Sequence, residues 1–151
     1  MRTAAQKLYE RWDEDSLFFG NGGESLKSFS EKNGAFILYN WATWCPHCKN
    51  INQKLQRLEK ASIPTIALTF DTDYDSYKLY REKTSPFWRD LFMRDESGKD
   101  KFVPRENEFD VPLIPSVWIV ENGSVQKIFV GEAGADKIFS YLEKRGFIGK
   151  D

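Results

Sequence analysis

The chain is poor in the residues that build metal centres and disulfide scaffolds. Its 151 residues include 2 cysteines and 1 histidine. Two cysteines cannot staple a fold in the way small secreted domains require. Glycine (10) and proline (6) are too sparse for a collagen-like or low-complexity chain. Net charge is nearly absent: 22 Lys and Arg against 23 Asp and Glu leave −1. The basic residues between 78 and 105 are interleaved with acids such as Glu82, Asp90, Asp95, Glu96 and Asp100. No phosphate-tracking stripe emerges, so a nucleic-acid partner is not expected. Long hydrophobic runs are missing as well. Stretches such as 63–68 and 117–120 fall far short of the roughly 20 residues of a membrane span. The first ten residues are polar and lack an apolar h-region, which reads as no signal peptide. No internal repeat is visible.

What is present is the material of a folded core. Hydrophobic residues make up 40% of the chain and aromatics 15%, too much for disorder. A chain of about 150 residues buries roughly 68–70% of its unfolded surface, which suits one domain with one core. Leu8 and Trp12 give residues 3–12 a weak helical face. The turn-rich Gly20-Asn21-Gly22-Gly23 between 16–19 and 25–29 predicts a small hairpin or irregular lead-in. The nearly continuous apolar run 35–41 predicts a strand buried on both faces. From Pro46 to about residue 61, Ile51, Leu55 and Leu58 recur at helical spacing, with Pro46 in the first turn. Residues 64–70 read as a second buried strand and 73–83 as a short helix. Phe87, Trp88, Leu91 and Phe92 form a short helical pattern, read either as core or as the lining of a partner groove. Asn122-Gly123 separates two β-rich runs, 116–121 and 125–130, and predicts a hairpin. A last helix is expected from about 135 to 145, ended by Gly146. Strand–helix–strand implies a right-handed parallel crossover, and the hairpin adds antiparallel strands. The expectation is an α/β fold with a mixed central sheet and helices on both faces.

The chemistry concentrates in Trp41-Ala42-Thr43-Trp44-Cys45-Pro46-His47-Cys48-Lys49. Cys45 and Cys48 lie one helical turn apart at a strand-to-helix junction, which brings their Cα atoms to about 5–6 Å, within disulfide reach. Free N–H groups and the dipole at the helix start favour a thiolate at Cys45. Cys48, one turn inside, is expected to be more buried and less acidic. One sulfur is placed to attack a disulfide and the other to resolve the mixed disulfide that forms. The alternative is a metal-binding or metallochaperone module using Cys45, Cys48 and His47. No second Cys-x-x-Cys exists to complete a tetrahedral site, so no metal site is assigned.

This string resembles the active-site motif of the thioredoxin superfamily, and Leu113-Ile114-Pro115-Ser116-Val117-Trp118 resembles its second signature, an Ile-Pro at the start of a core strand. Within the superfamily the chain looks most like the TlpA/ResA-type thiol-disulfide oxidoreductases, with a DsbA-type Cys-Pro-His-Cys motif. The resemblance implies a thioredoxin fold over one domain, 1–151. Residues 1–34 would form an N-terminal extension, 35–146 the core, and 84–112 an insert before the strand that Pro115 opens. It implies a cis peptide at Pro115 that leaves the Ile114 backbone free to pair with a bound peptide. It implies catalysis by Cys45 and Cys48, redox tuning by Pro46 and His47, and substrate contact through Trp44, Ile114 and Pro115. Trp41 and Trp118 would pack near the site, and Lys49 would add positive potential or be solvated. No cofactor is expected, since the dithiol is itself the redox group. The expected partners are protein thiols or disulfides and an upstream redox protein, with a monomer in an extracytoplasmic compartment. Pro-His favours an oxidant and the TlpA-like frame a reductant, so direction stays open. The chain departs from thioredoxin in one respect. The buried acid six residues before the first cysteine is replaced by Tyr39, followed by Asn40. The proton acceptor for Cys48 is therefore left to water, Tyr39 or a residue the sequence does not reveal.

Overall fold

The computed structural model describes residues 14–103 and 114–149. The expected helix at 3–12 and part of the insert lie outside them. After a 3-10 turn (Glu14–Ser16) the chain forms β1 (Phe18–Phe19), α1 (Leu26–Lys32), β2 (Ala35–Trp41), α2 (Pro46–Leu55), β3 (Thr65–Thr69), α3 (Tyr74–Thr84) and β4 (Arg89–Arg94). It continues through β5 (Asp100–Lys101), β6 (Ser116–Glu121), β7 (Ser124–Val130) and α4 (Gly131–Lys144). Among the described residues these strands make one 7-stranded sheet in the order β1-β4-β3-β2-β6-β7, with β5 on β4. β2, β3 and β4 run parallel, while β6, β7, β1 and β5 are antiparallel to their neighbours. The mixed sheet is the expected one.

β2 lies in the middle. From Phe36 to Trp41 every residue is buried, because β3 and β6 flank the strand and helices cover both faces. Each fully buried large apolar side chain there contributes about 1.5–3 kcal/mol. Strand pleating sends Tyr39 and Trp41 to one face and Phe36 to the other. Phe36 meets Phe29 of α1 edge-on at 5.5 Å. Trp41 meets Tyr80 of α3 at 5.8 Å. α4 joins α2 on the Trp41 face through the ion pair Lys54–Asp136, and the 3-10 turn after α2 (Gln56–Lys60) through Arg57–Glu143.

Three expectations are corrected. The small hairpin at the lead-in is present as one antiparallel bridge from Phe18 to Ser25, but its second arm stops there: residues 26–29 begin α1, because Ser25 caps the helix by accepting the Ser28 N–H. The helical pattern at Phe87, Trp88, Leu91 and Phe92 is instead the lead-in and the body of strand β4, which pairs parallel to β3. Trp88 is buried in the core and Phe87 is half-buried against it, while Phe92, though buried, lines a surface cavity with Phe19 and Tyr77. The apolar spacing suited either period, and sheet pairing decided. Finally, α4 begins at Gly131, four residues before the expected start. Gly134 has no room for a side chain: a Cβ would come within 2.8 Å of the Phe129 backbone. The first turn of α4 therefore seats tightly on β7.

Candidate active site

Two strand ends and two helix starts converge on the cysteines. β2 ends at Trp41 and α2 begins at Pro46, with Cys45 as its N-cap. Pro46 occupies the first turn, where a missing N–H leaves no hydrogen bond unmade. Cys45 Sγ accepts the Cys48 N–H at 3.2 Å, so a backbone donor of the helix start points at this sulfur. Both cysteines are free thiols and both are buried. Burial pushes the Cys48 thiol well above its usual range, and its hydrogen bond with Cys45 adds to the shift. The sequence-based asymmetry between the two sulfurs is present in the surroundings of Cys48.

The loop that delivers Cys45 is pinned from below. Asp71, just past β3, is buried. Its carboxylate accepts the Thr43 backbone N–H at 3.1 Å and the Thr43 hydroxyl at 2.5 Å, as well as the Thr69 hydroxyl. Trp41 Nε1 donates to Asp90 at 2.7 Å. Asp90 is fully enclosed, and burial pushes its carboxyl up while Arg81 opposes that shift. It also accepts from Tyr77 (2.6 Å) and Arg81 (2.8 Å). Sequence reading missed both aspartates, since nothing local distinguishes them from solvated acids.

The second signature arrives from β6. Asn40 pairs with Ser116 in the sheet, which brings Pro115 to the same end as the cysteine loop. The Ile114–Pro115 peptide is cis. Pro115 is buried and its carbonyl accepts the Gly131 N–H at 2.8 Å, while Ile114 is half-buried. That bond draws the start of α4 to the site, and Glu132 follows. His47 Nδ1 lies 2.8 Å from Glu132 Oε2, and this hydrogen bond holds the Glu132 carboxyl below the usual carboxylate range. His47 is exposed, and its imidazole is paired with Glu132 of the first turn of α4. Trp44 is 43% exposed, with its Nε1 donating to the Phe70 carbonyl at 3.2 Å. Trp41 and Trp118 are buried, as expected. Lys49 is exposed. Among the described residues, no group of three or more His, Cys, Asp or Glu side chains is arranged to hold a metal ion.

No protein-family model matches the chain, and no curated protein matches its sequence. Solved structures do resemble it. The thioredoxin domain of a thiol-disulfide oxidoreductase from Bacteroides vulgatus superposes with a TM-score of 0.61 at 17% identity, covering 88% of this chain and 95% of that one. The fold is the thioredoxin fold. A thio-disulfide isomerase from Thermus thermophilus is similar in the same sense, with a TM-score of 0.61 at 23% identity over 87% and 91% of the two chains. So is a secreted disulfide oxidoreductase from Mycobacterium tuberculosis, at 0.63 and 15% over 89% and 98%. The thioredoxin fold thus carries the Cys45–Cys48 pair at the start of its helix after the central strand. No helix among the described residues is long and apolar enough to cross a membrane.

Proposed function

We propose that this protein is a thiol–disulfide oxidoreductase acting on protein thiols or disulfides through the Cys45–Cys48 couple. One observation carries the reading: Cys45 Sγ sits at the helix start as acceptor of the Cys48 N–H, with the second free thiol one turn away. The Cys45 thiolate attacks a substrate disulfide, one substrate sulfur leaves with the electron pair, and a mixed disulfide remains. Cys48 then attacks Cys45 Sγ, closing Cys45–Cys48 and releasing the reduced substrate. The reverse sequence oxidises a substrate dithiol. Trp44, Ile114 and Pro115 form the substrate contact beside Cys45, and Pro46 and His47 tune the couple. The chain is one thioredoxin-like domain, with 1–34 as extension and 84–112 as insert. The likeness of the fold to a secreted disulfide oxidoreductase supports an extracytoplasmic setting, and the couple needs a redox partner upstream to return it to its starting state.

Two measurements test this. The Cys48→Ser variant accumulates mixed disulfides, and Cys45→Ser exchanges nothing; turnover by Cys45→Ser sinks the reading. Equilibration with glutathione then gives direction. A potential near about −120 mV marks an oxidant, and one near about −270 mV a reductant.

A further inference from the structure

α4 faces α2 along a ladder of ion pairs in which α4 supplies the anions. Arg57, in the 3-10 turn after α2, pairs with Glu143 at 3.1 Å, and Lys54 of α2 pairs with Asp136 at 3.0 Å. His47 and Glu132 form the last rung at 2.8 Å, on the dipeptide between the two cysteines. The two lower rungs, with the close seat of Gly134 on β7, hold α4 in place without it. Glu132 is nonetheless placed with care. The Gly131 N–H donates to the Pro115 carbonyl at 2.8 Å. A positive φ of 71° at Gly131 lets β7 turn straight into α4. Glu132 follows in the first helical turn, where the helix dipole favours a carboxylate. Its hydrogen bond with His47 holds that carboxyl below the usual carboxylate range.

We propose, resting on the exchange reaction above, that Glu132 is a positioning residue that sets the potential of the Cys45–Cys48 couple: it holds His47 in an ion pair and offsets the charge the imidazole brings, keeping the couple more reducing than its Cys-Pro-His-Cys motif would be alone. The reduced site gains negative charge at the Cys45 sulfur, and the disulfide carries none. A cation nearby stabilises the reduced form and makes the couple a stronger oxidant. An anion does the reverse. With a carboxylate at 132, the rung is neutral when His47 is protonated and negative when it is not. With a neutral amide in its place, the rung is positive or neutral. The carboxylate therefore never leaves the rung more positive, and above the imidazole titration it makes the rung negative. Glu132 shifts the equilibrium of the exchange and leaves its bond-making steps as they are.

The size of the effect follows from exposure. The His47 side chain is 68% exposed and that of Glu132 43%. Charges interacting across such a surface change an equilibrium by a factor of about two to five. They also fade with added salt, which a packing contact does not. Lys54 and Arg57 are committed to their own partners on α4. Lys49 on the first turns of α2 is exposed and common to every variant compared below. An amide oxygen at 132 still accepts from His47 Nδ1–H, so Glu132→Gln removes the charge and keeps the contact.

The test equilibrates the full chain with glutathione buffers at pH 8, well above the ordinary imidazole titration, and reads the reduced fraction by alkylation and mass. In Glu132→Gln the equilibrium shifts toward the dithiol by about two- to fivefold at low salt. In about 1 M salt, where the screening length is about 3 Å, that shift falls below about 1.5-fold. An unmoved equilibrium, a shift toward the disulfide, or a shift that persists undiminished in salt overturns the proposal. His47→Ala supplies a second background. Without the imidazole to hold it, the carboxylate loses its fixed place, so the shift on Glu132→Gln drops by at least about half. An equal shift in both backgrounds overturns the positioning role. A wild-type protein that never equilibrates with glutathione refutes the exchange reaction itself, a result read without any change at residue 132.

Discussion

His47 Nδ1 and Glu132 Oε2 are 2.8 Å apart although 85 residues separate them in the chain. The contact ties the dipeptide between the cysteines to the first turn of α4. It also makes Glu132 a reporter of His47. The hydrogen bond from His47 is the first cause of the lowered Glu132 carboxyl. A carboxyl lowered in the folded state adds stability above its unfolded pKa, and that stability is lost as pH falls through the folded value. His47→Ala should return the Glu132 titration toward the ordinary carboxylate range, read by carboxyl NMR across pH. No movement would mean that the pair is absent in solution.

Asp71 should matter more than a loop acid normally does. Asp71→Ala strands the Thr43 N–H and hydroxyl in a buried setting, for a cost of about 2–4 kcal/mol. Thr43→Ser keeps the hydroxyl and should cost under about 1 kcal/mol. Urea unfolding compares the two. Equal effects would assign the loss to packing rather than to the carboxylate.

Arg81 and Asp90 form an ion pair in which Asp90 has no exposure at all. Arg81→Met leaves Asp90 enclosed without its cation, for a loss of roughly 3–5 kcal/mol at neutral pH. Burial raises the folded-state pKa of Asp90. The acid therefore takes up its proton more readily in the folded state than in the unfolded one. The deficit of the variant should shrink as pH falls through that raised value, because a protonated Asp90 no longer needs the cation. Unfolding at pH 5 and at pH 7.5 checks the sign. A deficit that grows toward acid contradicts it.

Alkylation should separate the two thiols. Cys48 is fully buried, and its thiol is pushed up mainly by that burial. At pH 7 the reduced native protein should take up one equivalent of iodoacetamide, at Cys45, with Cys48 labelled only after unfolding. Peptide mapping reads the site. Labelling of Cys48 first would reverse the assigned roles.

Local sequence carried much of the fold and the placement of the cysteine pair. The run 35–41 was legible as a buried strand because every position in it is apolar or aromatic except Asn40, and β2 spans those residues. The Asn122-Gly123 hairpin was legible because both residues occupy positive φ in the turn, as such turns require. The Cys-x-x-Cys spacing and Pro46 placed two thiols on the first turn of a helix, since helix geometry is local. The period at 87–92 was ambiguous, and only pairing with β3 made it a strand. The electrostatic surroundings of the cysteines were hidden for a related reason. Asp71 meets Thr43 across 28 positions, Asp90 meets Trp41 across 49, and Glu132 meets His47 across 85. The sequence alone determined that two thiols share the first turn of one helix and where that helix starts. Tertiary structure decided what faces them, because burial, hydrogen-bond polarity and ion pairing depend on which distant strands and helices come together around the site.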